Sequence, residues 1–293
     1  MKPHTFGIFC GIAAFLLWGA LPLFWKQLAE LPPLVITAHR VLWSTITLII
    51  IVAIRGRLPV LLEKIKQPRT LLNSSLTGAL LCANWLVYVW AVNNDLVVSI
   101  SLGYFLLPLI YIVIGYFMLK EVMSQLHTIA VGIAAVGVLI QGIGIGGLPW
   151  PALLCSLTFA IYGVSKKKMK SDGFSILTIE MGLMAPFAIA YLLYQNAHYG
   201  NIWSDGSSHS ILMIILTGMA TISPLLFFTA AASRIPLNML GILQFIAPTG
   251  QFLLGILYFG EIINLTQVLS FSLIWIAIII YSFSRIKGTK IRI

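Results

Sequence analysis

Two formally charged side chains lie deep within apolar runs: Arg40, beside His39, and Glu180. A charge in hydrocarbon costs several kcal/mol on insertion scales, so it keeps a partner or a role. Glu180 reads either as a proton-coupling group or as a structural polar contact. Arg40 reads either as the neutraliser of an anionic cargo or as a brace that bonds helix-end carbonyls. Around them run polar stripes. Ser101, Tyr104, Pro108, Tyr111 and Gly115 recur at spacings of three and four, hence on one helical face. Gly241, Gln244, Pro248, Gln251 and Gly255 form a second such stripe. Polar side chains in a membrane face the bundle interior or a water-filled cavity, and a mid-helix proline frees a carbonyl that needs a partner there. The stripes read as opposing walls of one solute pathway, with Pro108 and Pro248 as kinks; the other reading is helix–helix packing.

Asn84 and Tyr88, four apart, add a third polar face close to Trp85 and Trp90. Asn84 lies roughly 20 Å from the cytoplasmic end of its span at 1.5 Å per residue. Its amide either binds cargo or bonds a neighbouring helix. Trp18 and Tyr162 either stack on a flat or apolar cargo or belong to the core.

These residues need a scaffold that crosses lipid. Of the 293 residues, 59% are hydrophobic and 9% charged, against about 25% charged in soluble proteins. A crossing takes roughly 20 apolar residues. Ten spans emerge: Phe6–Trp25, Pro33–Ile54, Leu71–Val92, Leu96–Met118, Leu126–Ile143, Trp150–Ser165, Phe174–Tyr194, Ile211–Ala232, Met239–Phe259 and Gln267–Phe283. The expected fold is therefore all-α and integral to the membrane. Trp25, Trp150 and Trp203, near span ends, read as interfacial anchors.

The net charge of +10 raises the question of nucleic acid, and topology answers it. With the N-terminus in the cytoplasm, every Lys and Arg except Lys26 and Arg40 falls on a cytoplasmic segment. That is the positive-inside pattern, which marks sidedness rather than a binding face. It predicts a multi-pass cell-membrane protein with both termini cytoplasmic. Cys10, Cys82 and Cys155 sit in apolar runs and read as packing residues. The five histidines show no ligand spacing, so neither metal nor cofactor is implied.

The chain also repeats itself. Ala91 to Glu121 and Ala231 to Glu261 align without a gap, pairing Phe105 with Phe245, Pro108 with Pro248 and Glu121 with Glu261. The same offset pairs Arg40 with Glu180. An odd number of spans separates the repeats, so residues 1–145 and 146–293 are expected to form two inverted five-helix halves. Inverted repeats underlie many secondary transporters, whose substrate sites lie near the midplane between the halves. Glu121 and Glu261 are expected to cap the N-terminus of the helix that follows each. Gly7 and Gly11 form a small-residue pair of the kind that supports helix association, so a homodimer is open.

Together these positions resemble the EamA group of the drug/metabolite transporter superfamily, in particular its RarD-like branch, over nearly the whole chain. The resemblance rests on Trp18-Gly19, Lys26, His39-Arg40, Trp43-Ser44, Asn84-Trp85, Trp90 to Asn94, Ser101 to Phe105 with Pro108, and Phe159 with Tyr162-Gly163. It continues through Ile179-Glu180, Pro224 to Leu226, Phe228 to Ala232, Gln244 with Pro248-Thr249, and Gly260-Glu261. Lys120 departs from the glycine the family carries before its Glu. The resemblance implies a basket of ten helices around a central cavity and a small-molecule cargo, with protons a candidate coupling ion. An intramembrane lipid-modifying enzyme would need converging nucleophiles, acids or metal ligands, which the apolar spans do not supply. A non-transporting sensor or structural protein is the other class; it predicts polar stripes packed together with no cavity.

Overall fold

The computed structural model describes residues 3–119, 125–144, 146–169, 173–200, 202–235, 239–240 and 243–289. Among these the regular structure is entirely helical. The helices are α1 (Pro3–Lys26), α2 (Pro33–Ile54), α3 (Leu58–Ile65), α4 (Pro68–Asn93), α5 (Val97–Leu119), α6 (Gln125–Gly144), α7 (Trp150–Met169), α8 (Gly173–Tyr199), the single turn α9 (Ile202–Asp205), α10 (Ser208–Ala232), α11 (Ile246–Leu257) and α12 (Leu265–Thr289). Seven of them, α1, α2, α4, α6, α8, α10 and α12, are long and apolar enough to cross a membrane; apolar stretches of α5 and α11 are shorter.

Helix starts follow local chemistry. Proline opens α2 and α4 and stands in the first turn of α3, where its missing N–H costs no bond and its φ is already helical. At the start of α12, the Asn264 carboxamide accepts from the Gln267 amide at 2.8 Å while the Gln267 side chain accepts from the Asn264 amide at 2.9 Å. This reciprocal cap takes the role expected of Glu261. Glu261 instead reaches across the bundle, accepting from the Val97 and Val98 amides of α5 at 2.6 and 2.9 Å. A carboxylate at a helix N-terminus is favoured by the exposed amides and the dipole, and α5, lacking an acidic residue in its first turn, borrows one. Burial pushes the Glu261 carboxyl above the usual range, and the two amide bonds pull it part of the way back. Glu121 lies outside the described residues.

The expected ninth span, Met239–Phe259, is not one helix. Regular structure breaks at Gln244 and Phe245, and α11 starts at Ile246. Pro248 explains the break: it cannot donate to the Gln244 carbonyl, and its ring crowds that carbonyl. Its repeat partner Pro108 sits inside a continuous α5.

Helices pair in a regular pattern. α1 packs on α10 and α11, and α7 packs on α4 and α5. α2 packs on α10 as α8 does on α4. The pairs α2–α8, α5–α11 and α6–α12 complete the bundle. Close approach depends on glycine: a Cβ at Gly103 would overlap the Ala152 carbonyl of α7, and one at Gly7 or Gly11 would crowd Ile235 or Leu243 at 2.8 Å. The Gly7–Gly11 pair is thus used within the chain.

Gly103→Ala should therefore force α5 and α7 apart and lower stability by about 1–3 kcal/mol, the usual cost of overpacking. Gly132, where an added Cβ meets nothing within 4 Å, supplies the control. Thermal unfolding in mild detergent checks both; equal melting temperatures for the two variants would show that the α5–α7 contact is not tight.

Candidate functional site

The two buried charges sit at opposite levels of the bundle. Arg40 lies two turns into α2 and is 5% exposed. Its Nε donates to the Thr221 hydroxyl of α10 at 2.8 Å. The guanidinium lies 3.9 Å from the centre of the Trp85 ring and 4.6 Å from that of Trp25. The expected brace through helix-end carbonyls is replaced by one through a side-chain hydroxyl and two rings. Trp25 is fully buried, not an interfacial anchor, because it forms one face of this stack. Trp150 and Trp203 are nearly half exposed, as anchors would be.

Glu180 is fully buried and heavily ligated. Its carboxylate accepts from Thr77 at 2.6 Å, from Lys166 at 3.0 and 3.1 Å, and from the Tyr162 hydroxyl at 3.3 Å. Lys166 belongs, by the sequence reading, to a cytoplasmic loop. In the structure α7 runs on to Met169, so Lys166 hangs one turn beyond Tyr162 on the same face and folds back onto Glu180. The i, i+4 spacing of Tyr162 and Lys166 carried that signal; the abundance of basic residues in the segment masked it. Thr77 and Thr221 carried none, since threonine is common in such helices.

Aromatic rings join the two charges. Tyr88 meets Tyr104 with centroids 6.0 Å apart, Tyr104 meets Phe159 at 6.3 Å, and Phe159 meets Tyr162 at 6.0 Å. The ladder thus runs from the neighbourhood of Arg40 to the ligands of Glu180. Edge-on and tilted contacts of this kind suit aromatic quadrupoles. Cys82 of α4 lies close enough to feel both buried charges.

The other expected site residues divide by how their polar atoms are satisfied. Asn84 is 2% exposed and donates to the Cys155 carbonyl at 2.7 Å and to Thr158 at 3.1 Å. Of its two readings, the bond to a neighbouring helix is the one seen. Ser101 is buried and donates to the Val98 carbonyl of its own helix at 2.7 Å. Gln251 donates to the Trp18 carbonyl at 3.2 Å, tying α11 to α1, and Trp18 packs against Phe15 and Phe228 at 5.4 and 5.6 Å. Gln244 is half-buried at the break before α11. The two stripes face largely different neighbours, although Gly255 packs on Val98 of α5. Tyr104 and Tyr111 face α7, where Tyr111 fills the space beside Gly163, whereas Gln251 and Gly250 face α1. Where α5 and α11 touch, Phe105 stacks on Phe245 at 6.4 Å.

Two cavities lie away from this seam. One, of about 270 Å³, is lined by His39, Trp43, Asn196 and Trp203; the other, of about 400 Å³, by Lys26, Gln27 and Phe259. The residues of the seam are packed in this conformation. Among the described residues no cluster of His, Cys, Asp or Glu has the makings of a metal site.

Comparison with known proteins agrees with this architecture. The EamA-like transporter family matches residues 5–142. An uncharacterized transporter of Bacillus subtilis, YojE, is 36% identical over 97% of this chain and 96% of its own. The RarD protein of Streptomyces exfoliatus is 36% identical over 97% and 90%, and that of Escherichia coli is 34% identical over 94% and 93%. A solved crystal structure shares the fold with a TM-score of 0.62 at 18% identity, over 94% of this chain and 97% of the other. The chain is a multi-pass membrane protein that belongs to the EamA-like transporter family, among the relatives of RarD.

Proposed function

We propose that this protein is a secondary carrier that moves a small solute across the cell membrane by alternating access. Ten crossings form two inverted halves, residues 1–145 and 146–293, with both termini in the cytoplasm. The observation that carries the proposal is the exchange symmetry of the packing. Each contact α1–α10, α1–α11 and α2–α10 has a counterpart, α7–α4, α7–α5 and α8–α4, obtained by swapping the halves. The other extensive pairs, α2–α8, α5–α11 and α6–α12, join equivalent helices, and Phe105 stacks on its own repeat partner Phe245; lesser contacts such as α2–α4 are not matched to the same extent. Two interchangeable halves around one seam are what alternating access requires.

Sidedness supports the same reading. Arg55 lies over Phe174 at 4.8 Å and Arg234 over Phe6 at 5.3 Å, which gathers basic residues and the N-terminus at one end. Lys26 and Asp95, 2.6 Å apart, mark the other end. The solute passes along Trp18, Tyr88, Tyr104, Phe159 and Tyr162, and an ion gradient supplies the energy, since the sequence carries no nucleotide-binding motif. Glu180 couples the gradient by exchanging a proton when Lys166 withdraws.

Three measurements test this. Single cysteines at the two termini, in a chain with Cys10, Cys82 and Cys155 replaced, should be labelled only from the cytoplasmic side; an external C-terminus would refute the ten-crossing map. Tyr104→Ala should cut flux in vesicles at least several-fold with normal membrane insertion, and unchanged flux would remove the ladder from the route. Lys166→Met leaves a buried carboxylate unpaired and should cost about 3 kcal/mol or more. Glu180→Gln with Lys166→Met should recover stability yet lose pH-driven uptake. Retained pH dependence in that double variant would end the coupling role of Glu180.

A further inference from the structure

The surroundings of Arg40 contain donors without acceptors. Among the described residues the ion pairs are Lys26–Asp95 and Lys166–Glu180, so no carboxylate faces the Arg40 guanidinium. One of its edges is engaged through Nε by Thr221, and Trp85 and Trp25 lie against it. Its Nη1 is buried and has no hydrogen-bond partner. Two more buried groups beside it are in the same position, the Trp25 Nε1–H and the Tyr88 hydroxyl. Trp25 and Tyr88 belong to one core cluster, and Tyr88 stands one turn along α4 from Trp85, the ring against Arg40.

The chemistry of this set selects its ligand. Guanidinium and indole N–H groups only donate, and the phenol can donate as well. Cation–π contact offsets only part of the cost of burying an unpaired charge. What remains uncompensated is one positive charge and up to three donors. A planar oxyanion meets all of them at once, because a carboxylate accepts two parallel bonds from a guanidinium edge. A lysine could not present that fork.

We propose that Arg40, Trp25 and Tyr88 form the subsite that holds the carboxylate of an organic-acid cargo. This deepens the carrier reading and rests on it. Thr221 and the two indoles fix the guanidinium, and the aromatic ladder starts at Tyr88. The carboxylate docks there, and the rest of the cargo extends toward Tyr104.

Purified protein titrated with benzoate, benzamide and phenylphosphonate tests the subsite directly, with quenching of indole fluorescence as the readout. Benzoate should bind at least tenfold more tightly than benzamide, which has the same shape and no charge. Arg40→Lys should lose at least tenfold in benzoate affinity while keeping its cation and its fold, and Arg40→Gln should abolish the response. Equal affinity for benzoate and benzamide, or no binding of either, overturns the subsite without reliance on any variant. Tighter binding of phenylphosphonate than of benzoate overturns the assignment to a carboxylate. Vesicles that exchange an isotope-labelled cell extract separate this from the carrier reading. Benzoate, but not benzamide, should inhibit exchange by wild-type protein. Exchange that benzoate leaves untouched overturns the subsite and keeps the carrier; no exchange at all overturns the carrier, and the subsite with it as a place for cargo.

Discussion

Inside a bilayer no water is at hand, so every polar atom in the hydrocarbon must be satisfied by the bundle itself. That constraint sorts the polar residues of this protein. Most hydroxyls are answered within their own helix: Thr45 donates to Val41, Thr158 to Leu154, Thr178 to Phe174 and Thr249 to Phe245, each to a carbonyl one turn back. Such side chains are compatible with any role and diagnostic of none. A few reach across helices instead. Asn84 joins α4 to α7, Gln251 joins α11 to α1, Glu180 gathers donors from α4 and α7, and Arg40 joins α2 to α10. These four carry the specificity of the packing. Of them, Arg40 alone combines a formal charge with a buried donor left open.

The same constraint explains what could be read from the sequence. Hydropathy located the spans because a crossing must be apolar along its length, and α2 begins and ends where the sequence placed it. The repeat is a pattern of the sequence itself, in which prolines, glycines and aromatics stay in register at one offset. Partners were harder. Glu180 announced itself as a charge in an apolar run, but its counter-ion Lys166 was hidden among neighbouring lysines that serve sidedness. Trp25 looked like a boundary tryptophan by position, and only three-dimensional packing shows it beneath the guanidinium of Arg40. The break at Gln244 was hidden too. Pro108 and Pro248 are equivalent by sequence, yet one is absorbed into a helix and the other ends one. Local propensity is the same, and the neighbouring turns decide.

Arg40 and Glu180, paired by the sequence repeat, carry opposite charges. Each is the eighth residue of its helix, α2 or α8, yet their surroundings differ. One site has gathered a lysine, a threonine and a tyrosine around its carboxylate; the other has gathered two indoles and a threonine around its guanidinium. The first is electrically closed and the second is not. The two positions are thereby chemically different.

The ties at the end marked by Lys26 are weak. Lys26 and Asp95 form a bridge whose side chains are 27% and 66% exposed, and such exposed pairs contribute about 0–1 kcal/mol. Glu261 adds two bonds to the start of α5 through a carboxyl that burial disfavours as an anion. Protonation would weaken its acceptance from those amides, and burial shifts the carboxyl in that direction. The core pairs α2–α8 and α6–α12, by contrast, are built from side chains such as Val41, Met181, Phe271 and Ile274, all buried. Rupture at this end costs little next to separation of those cores.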